Sequence, residues 1–168
     1  TITGYLNQDT MRIQPQDYTA MLQRCRQLAG GWQLALKLFH DSRNKRVINA
    51  FIVAKVISCL GGRWQKAIQL MDLCNLEGVR LDTVAYNAVI TQCCQAGRWE
   101  VALEVRDRMT TELAPRIKGN RLQPQQGNSR SSVFDAYTLN PIAQAMSNQG
   151  HWEKALAIID EFRVLTIR

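Results

Sequence analysis

Apolar residues recur along this chain at helical rather than strand spacing. In YTAMLQRCR, Tyr18, Met21, Leu22 and Cys25 fall at i, i+3, i+4 and i+7, and YNAVITQCC repeats the arrangement with Tyr86, Val89, Ile90 and Cys93. That period is the buried stripe of an amphipathic helix. FIVAKVISCL and LNPIAQAMSN take the same place in two further stretches. Downstream of each lies a second stripe opened by tryptophan: GGWQLALKLFHDS, GRWQKAIQLMDLC, GRWEVALEVRDRM and GHWEKALAIIDEF. Trp32, Trp64, Trp99 and Trp152 each follow a glycine by two residues and precede Ala35, Ala67, Ala102 and Ala155 by three. Leu36, Ile68, Leu103 and Leu156 come next, then Phe39, Met71, Arg106 and Ile159, so Arg106 is the one interruption of the apolar face. Glycine punctuates the turn, and the small alanine lets another helix come close. The pattern predicts four copies of helix, turn, helix.

Spacing between copies locates an insertion. Trp32 to Trp64 is 32 residues and Trp64 to Trp99 is 35, but Trp99 to Trp152 is 53. The 18-residue excess equals Pro115 to Ser132, PRIKGNRLQPQQGNSRSS, which has two prolines, two glycines and neither period, and reads as a flexible inserted loop. The expected organisation is a lead-in at 1–14 and a single helical-repeat domain at 15–168. Its units fall at about 15–47, 48–82, 83–135 with the insertion at 115–132, and 136–168. Repeats of this size stack into an all-α solenoid, and about three are needed to bury a continuous core. In the end helix, Leu156, Ile159 and Phe162 lack a following repeat in this sequence, so either further sequence or a partner covers them, and a partner within an assembly is the expectation. The sequence starts at Thr1, which reads as a fragment or a processed form.

Composition changes this picture in one respect. With 46% hydrophobic and 21% charged residues the chain suits a core-forming domain, and no apolar run approaches membrane-span length, so no membrane partner is expected. Lysine and arginine, however, outnumber aspartate and glutamate by 21 to 14, a net charge of +7, and a basic surface recruits polyanions. The insertion is the most skewed part, with Arg116, Lys118, Arg121 and Arg130 against no acid; Arg43, Lys45 and Arg46 form a smaller cluster.

Chemistry of other kinds finds little support. Cys25, Cys59, Cys74, Cys93 and Cys94 are odd in number and lack zinc-ligand spacing, and read as small buried thiols of a reducing compartment. His40 and His151 stand apart, the carboxylates are scattered, and no nucleophile elbow, phosphate loop or HExxH helix occurs. A non-enzyme without cofactor or metal is expected.

The helical hairpins resemble pentatricopeptide repeats: a tyrosine, a polar residue, an apolar pair, a later cysteine, then Gly and an Ala-Leu-like tail, over Asp17 to Phe162, with Ile48 to Asp82 at the family's usual 35 residues and ending GVRLD. Tetratricopeptide hairpins are the rival and would carry tryptophan in the first helix. Here every tryptophan opens the second. The resemblance implies a right-handed α-solenoid of about four repeats that binds single-stranded or structured RNA. First helices would line one wall, presenting a polar residue per repeat to an unstacked base.

The resemblance further implies that each base is read by the residue after the tyrosine position together with the last residue of the unit. Asn87 with Asp135 resembles the combination preferring pyrimidines, especially uracil. Asn140 begins a fourth such pair. Thr19 pairs with Val47, and Ile52, or Phe51 if that hairpin has a longer turn, with Asp82; neither completes a polar pair. Base-facing candidates are therefore Thr19, Asp82, Asn87, Asp135 and Asn140, and phosphate-facing ones Arg116, Lys118, Arg121 and Arg130. The family setting implies the mitochondrial or another organellar matrix, and work in a ribonucleoprotein as a ribosome component or an assembly or RNA-metabolism factor among neighbouring proteins. A protein-binding scaffold with little RNA contact is the alternative.

Overall fold

The computed structural model describes residues 14–119 and 136–166. Eight helices form within them: α1 (Pro15–Cys25), α2 (Gly31–Asn44), α3 (Ala50–Ser58), α4 (Trp64–Leu76), α5 (Thr83–Gln95), α6 (Trp99–Gly119), α7 (Ala136–Asn148) and α8 (Trp152–Thr166). No strand occurs among the described residues.

Packing follows chain order. The first helices form one row, α1 on α3, α3 on α5 and α5 on α7. Each second helix lies against its own first helix and the next one along, so α2 touches α1 and α3, α4 touches α3 and α5, and α6 touches α5 and α7. The result is the stacked helical-repeat architecture expected from the periodicity. The stripes that predicted it form its core: Tyr18, Leu22 and Cys25 of α1 and Tyr86, Val89, Ile90 and Cys93 of α5 are buried, as are Ala35, Ala67, Ala102 and Ala155 on the second helices.

Local chemistry sets where the helices start. Asn49 caps α3, its side chain accepting the Ile52 N–H at 2.9 Å, and Asp82 caps α5 by accepting the Ala85 N–H at 2.9 Å. At α1, Pro15 occupies the first turn and the Asp17 carboxylate accepts the Gln14 N–H at 2.9 Å. Such caps satisfy main-chain donors that the helix leaves open. Gly31 opens α2 where a Cβ would stand 1.8 Å from the Cys25 carbonyl oxygen, so only glycine fits that turn.

Successive hairpins are tied by recurrent devices. The guanidinium of Arg63 lies 4.3 Å from the Trp32 ring, that of Arg98 6.0 Å from Trp64, and the Lys154 ammonium 4.9 Å from Trp99. Each opening tryptophan is thus covered by a cation of the following hairpin. Trp152 has no such cover among the described residues and is 58% exposed. Gln149 accepts the Trp99 indole N–H at 3.2 Å while donating to the Gly97 carbonyl at 2.6 Å.

Two expectations need correction. Helix α6 runs on through Pro115 to Gly119, so the irregular insertion does not begin at Pro115. Leu113 is still in the core just before the proline, and that packing anchors the helix where propensity alone would end it. The second correction concerns register. From cap to tryptophan, α3 and its turn use 15 residues (Asn49 to Trp64), whereas α5 and its turn use 17 (Asp82 to Trp99). Counting back from tryptophan therefore overshoots the second hairpin's cap by two residues. Set by caps, the first unit closes at Asn49, not Val47.

Candidate nucleic-acid interface

The caps supply a common register for the first helices. The fifth helical residue is Thr19 in α1, Ala54 in α3, Asn87 in α5 and Asn140 in α7. Burial confirms the alignment: Ile52, Val53, Val56 and Ile57 are buried in α3 just as Ala85, Tyr86, Val89 and Ile90 are in α5. Ile52 is thus a core residue with no exposed surface, and the position equivalent to Asn87 is Ala54, not Ile52 or Phe51.

The fifth residues differ in environment. Thr19 is half-buried and turns its hydroxyl to its own helix, donating to the Gln16 carbonyl at 2.7 Å. Ala54 offers no polar atom. Asn87 is half-buried, and its Oδ1 accepts the Thr138 hydroxyl of α7 at 2.8 Å. Asn140 is exposed. Asp82 is exposed at the α5 cap, one carboxylate oxygen occupied by the Ala85 N–H. Asp135, Arg121 and Arg130 lie outside the described residues, while Arg116 and Lys118 belong to the last turns of α6 rather than to a loop.

Two features of this wall escaped the sequence reading. The second helical residue, three before the polar position, is apolar and exposed in successive helices: Phe51 is 51% and Val84 59% exposed. The Lys55 ammonium lies 5.3 Å from the Phe51 ring, one turn along. The caps would have revealed this alignment, had they been used in place of the tryptophans. Acids are also segregated by layer. Helices α3, α5 and α7 contain none and α1 contains Asp17 alone, whereas Asp41, Asp72, Glu100, Glu104, Asp107, Glu112, Glu153 and Asp160 sit on second helices. Several are engaged there: Arg108 bonds Asp72 at 2.6 Å, and Tyr86 donates to Glu112 at 2.5 Å. The first-helix row is left with little to repel phosphate.

Elsewhere the titratable groups have structural surroundings. Burial pushes the Cys74 and Cys93 thiols up to about 11 and Cys94 to about 12, so they stay protonated and unreactive at neutral pH. Among the described residues no three His, Cys, Asp or Glu side chains are grouped to hold a metal ion, and no helix is long and apolar enough to cross a membrane.

Comparison with known proteins agrees with the geometry. A family model described as the PPR repeat matches residues 77–110, which take in α5 and the first half of α6. A curated relative, the chloroplastic pentatricopeptide repeat-containing protein 10 of Zea mays, is 28% identical over 167 residues, 97% of this chain and 19% of that protein. The chain therefore spans about a fifth of the relative's length. Helical hairpins stacked in one row, a unit at their centre matched by the PPR repeat model and a relative aligned along nearly their whole length make this chain similar to pentatricopeptide-repeat proteins.

Proposed function

We propose that the chain is a non-catalytic RNA-binding segment whose first-helix row holds single-stranded RNA. The observation that carries this reading is the layering of charge and polarity: almost acid-free first helices present Thr19, Asn87 and Asn140 at one register and exposed Phe51 and Val84 at another. Apolar and aromatic side chains offer stacking surface to unpaired bases, and the polar residues reach base edges. Under the cap register Thr19 pairs with Asn49, so the first hairpin has a polar pair in addition to Asn87 with Asp135. Asn140 contributes a further contact, and Asp82 faces Ala54 without a polar mate. Arg116, Lys118, Arg121 and Arg130 are proposed to hold phosphates.

The compartment is proposed to be an organelle. The mitochondrial matrix suggested by resemblance and the chloroplast in the relative's name are both organellar settings, and import into isolated mitochondria and chloroplasts separates them. Within an organelle, residence in a ribosome or its assembly intermediates, among neighbouring proteins, suits a short run of polar pairs. A scaffold reading draws on one specific observation, the exposure of Trp152, Leu156 and Ile159 on α8, a surface suited to a protein neighbour.

Filter binding of a uridine 12-mer over a salt series tests the proposal. Affinity should fall steeply with salt, by about 0.7 log units per log unit of salt for each phosphate contact on a single strand. Changing Arg116, Lys118, Arg121 and Arg130 together to Ala should flatten that slope. Absent or salt-independent binding would leave the scaffold reading.

A further inference from the structure

We infer that the phosphate backbone of a bound strand runs along one edge of the stacked hairpins, the edge built by the turns inside them, where Arg26, Arg63 and Arg98 receive it. The inference rests on the RNA-binding reading above and says where on that surface the strand's charge lies.

Three bonds join successive turns into a continuous edge. The Cys59 thiol donates to the Leu22 carbonyl at 3.4 Å, Gln92 accepts the Gly62 N–H at 2.7 Å, and Gln149 donates to the Gly97 carbonyl at 2.6 Å. The C-terminal ends of the first helices and the turns after them therefore lie side by side. The caps Asn49 and Asp82 start the same helices at the opposite edge.

The two edges hold their cations differently. Along the turns, Arg26, Arg63 and Arg98 are exposed, one in each of the first three hairpins, and none of the four turns contains a carboxylate. Glu100 and Glu153, one residue past Trp99 and Trp152, are the nearest acids in sequence; Gln33 and Gln65 take that place in the first two hairpins. Among the described residues no ion pair engages the three arginines. Arg63 and Arg98 lie over Trp32 and Trp64 instead, and Arg63 also donates to the Leu60 carbonyl at 2.8 Å. A neutral ring orients a guanidinium without cancelling its charge, and leaves its other N–H groups for an anion.

At the cap edge the balance is different. Arg43 pairs with Glu77 and Lys45 with Asp41 at 3.1 Å, and the exposed carboxylates of Asp17 and Asp82 share that edge with Arg46 and Arg80. A phosphate there meets acids already in place, whereas along the turns it meets cations. One guanidinium per hairpin also suits a phosphodiester chain, because a strand that offers one base to each first helix brings its phosphates past the turns at the same interval.

The test titrates fluorescein-labelled U12 RNA against the 168-residue chain over a salt series, with two variants that each remove three positive charges. One carries Arg26→Gln, Arg63→Gln and Arg98→Gln; the other carries Lys45→Gln, Arg46→Gln and Arg80→Gln. The turn-edge variant should lower the salt slope by about 2 log units per log unit of salt, and the affinity at about 0.1 M salt by about 100-fold, as three lost phosphate contacts predict. The cap-edge variant should keep most of the slope. Equal losses in the two variants, or a larger loss at the cap edge, would overturn the assignment while RNA binding stands. A second readout uses wild type alone and decides the matter should the turn-edge variant fail to fold. In acetylation footprinting, U12 should protect Lys66, which lies 5.8 Å from the Trp32 ring, and leave Lys45 at the cap edge unprotected. Protection of Lys66 no greater than that of Lys45 would overturn the assignment. If wild type does not bind U12, the RNA-binding reading fails and takes this inference with it.

Discussion

Gln92 of α5 reaches back one hairpin and accepts the Gly62 N–H at 2.7 Å, with only 2% of its own surface exposed. Gly62 sits in a left-handed turn (φ +79°), so the bond ties the turn of one hairpin to the first helix of the next. Gln92→Leu keeps the volume but strands the Gly62 donor in a partly buried setting. Stability should fall by about 1–3 kcal/mol, the cost of an unpaired buried polar group, measurable as a lower urea midpoint.

Two glycines separate space from backbone conformation. Gly31 has an ordinary φ, but a Cβ would meet the Cys25 carbonyl oxygen at 1.8 Å, which only backbone movement relieves. Gly78 has φ +73° with nothing near its missing Cβ. Gly78→Ala should therefore cost about 1–2 kcal/mol for the left-handed residue alone. Gly31→Ala should cost more, about 3 kcal/mol or above, and open the first hairpin. Limited proteolysis should cut near α1 and α2 in Gly31→Ala before any loss elsewhere.

The hairpins were legible because burial follows the 3.6-residue period: Tyr18 and Tyr86, or Ala35 and Ala102, occupy equivalent interior positions, and sequence periodicity reports interior position directly. Register was less legible. Trp64 marks the start of α4 faithfully, but α3 has 9 residues where α5 has 13, and a longer turn makes up only part of the difference. A count from Trp64 therefore took core Ile52 for a surface position, whereas capping residues such as Asn49 and Asp82 carry the register because their side chains bond the first helical turn. The Thr138 to Asn87 bond was beyond reach, since it joins residues on separate hairpins brought together only by stacking.

Alkaline pH should loosen the core before it affects the surface. Burial raises Cys74 and Cys93 to about 11, and raises Tyr86 to about 12 with help from its bond to Glu112. A folded-state pKa above the unfolded one means that the folded chain holds the proton more tightly. The resulting stability is complete below the ordinary thiol value of 9.0 and is lost as pH rises towards 11. Urea midpoints measured from pH 8 to 10.5 should be flat at first and then decline. Cys93→Ala should lower the midpoint at every pH, through the lost packing, yet reduce the steepness of the alkaline decline. An unchanged slope would mean that Cys93 does not ionise on unfolding in this range.

The cap register makes a separate prediction at Asn49. Its side chain bonds the Ile52 N–H at 2.9 Å, the same bond that Asp82 makes to Ala85, so Asn49→Ala should cost about 1 kcal/mol while Val47→Ala should not remove a cap. Asn49→Asp preserves the acceptor and should leave stability nearly unchanged. The two substitutions thus part the structural role from the proposed reading of RNA. If Thr19 and Asn49 share a base, Asn49→Asp replaces a group that can donate and accept with one that only accepts, and the base preferred at the first hairpin should change at constant stability. Titrating the variant against 12-mers of each base would reveal that change as an altered rank order. An unaltered order, with the cap intact, would make Asn49 a helix cap and nothing more, and would leave base contact to Asn87 and Asn140.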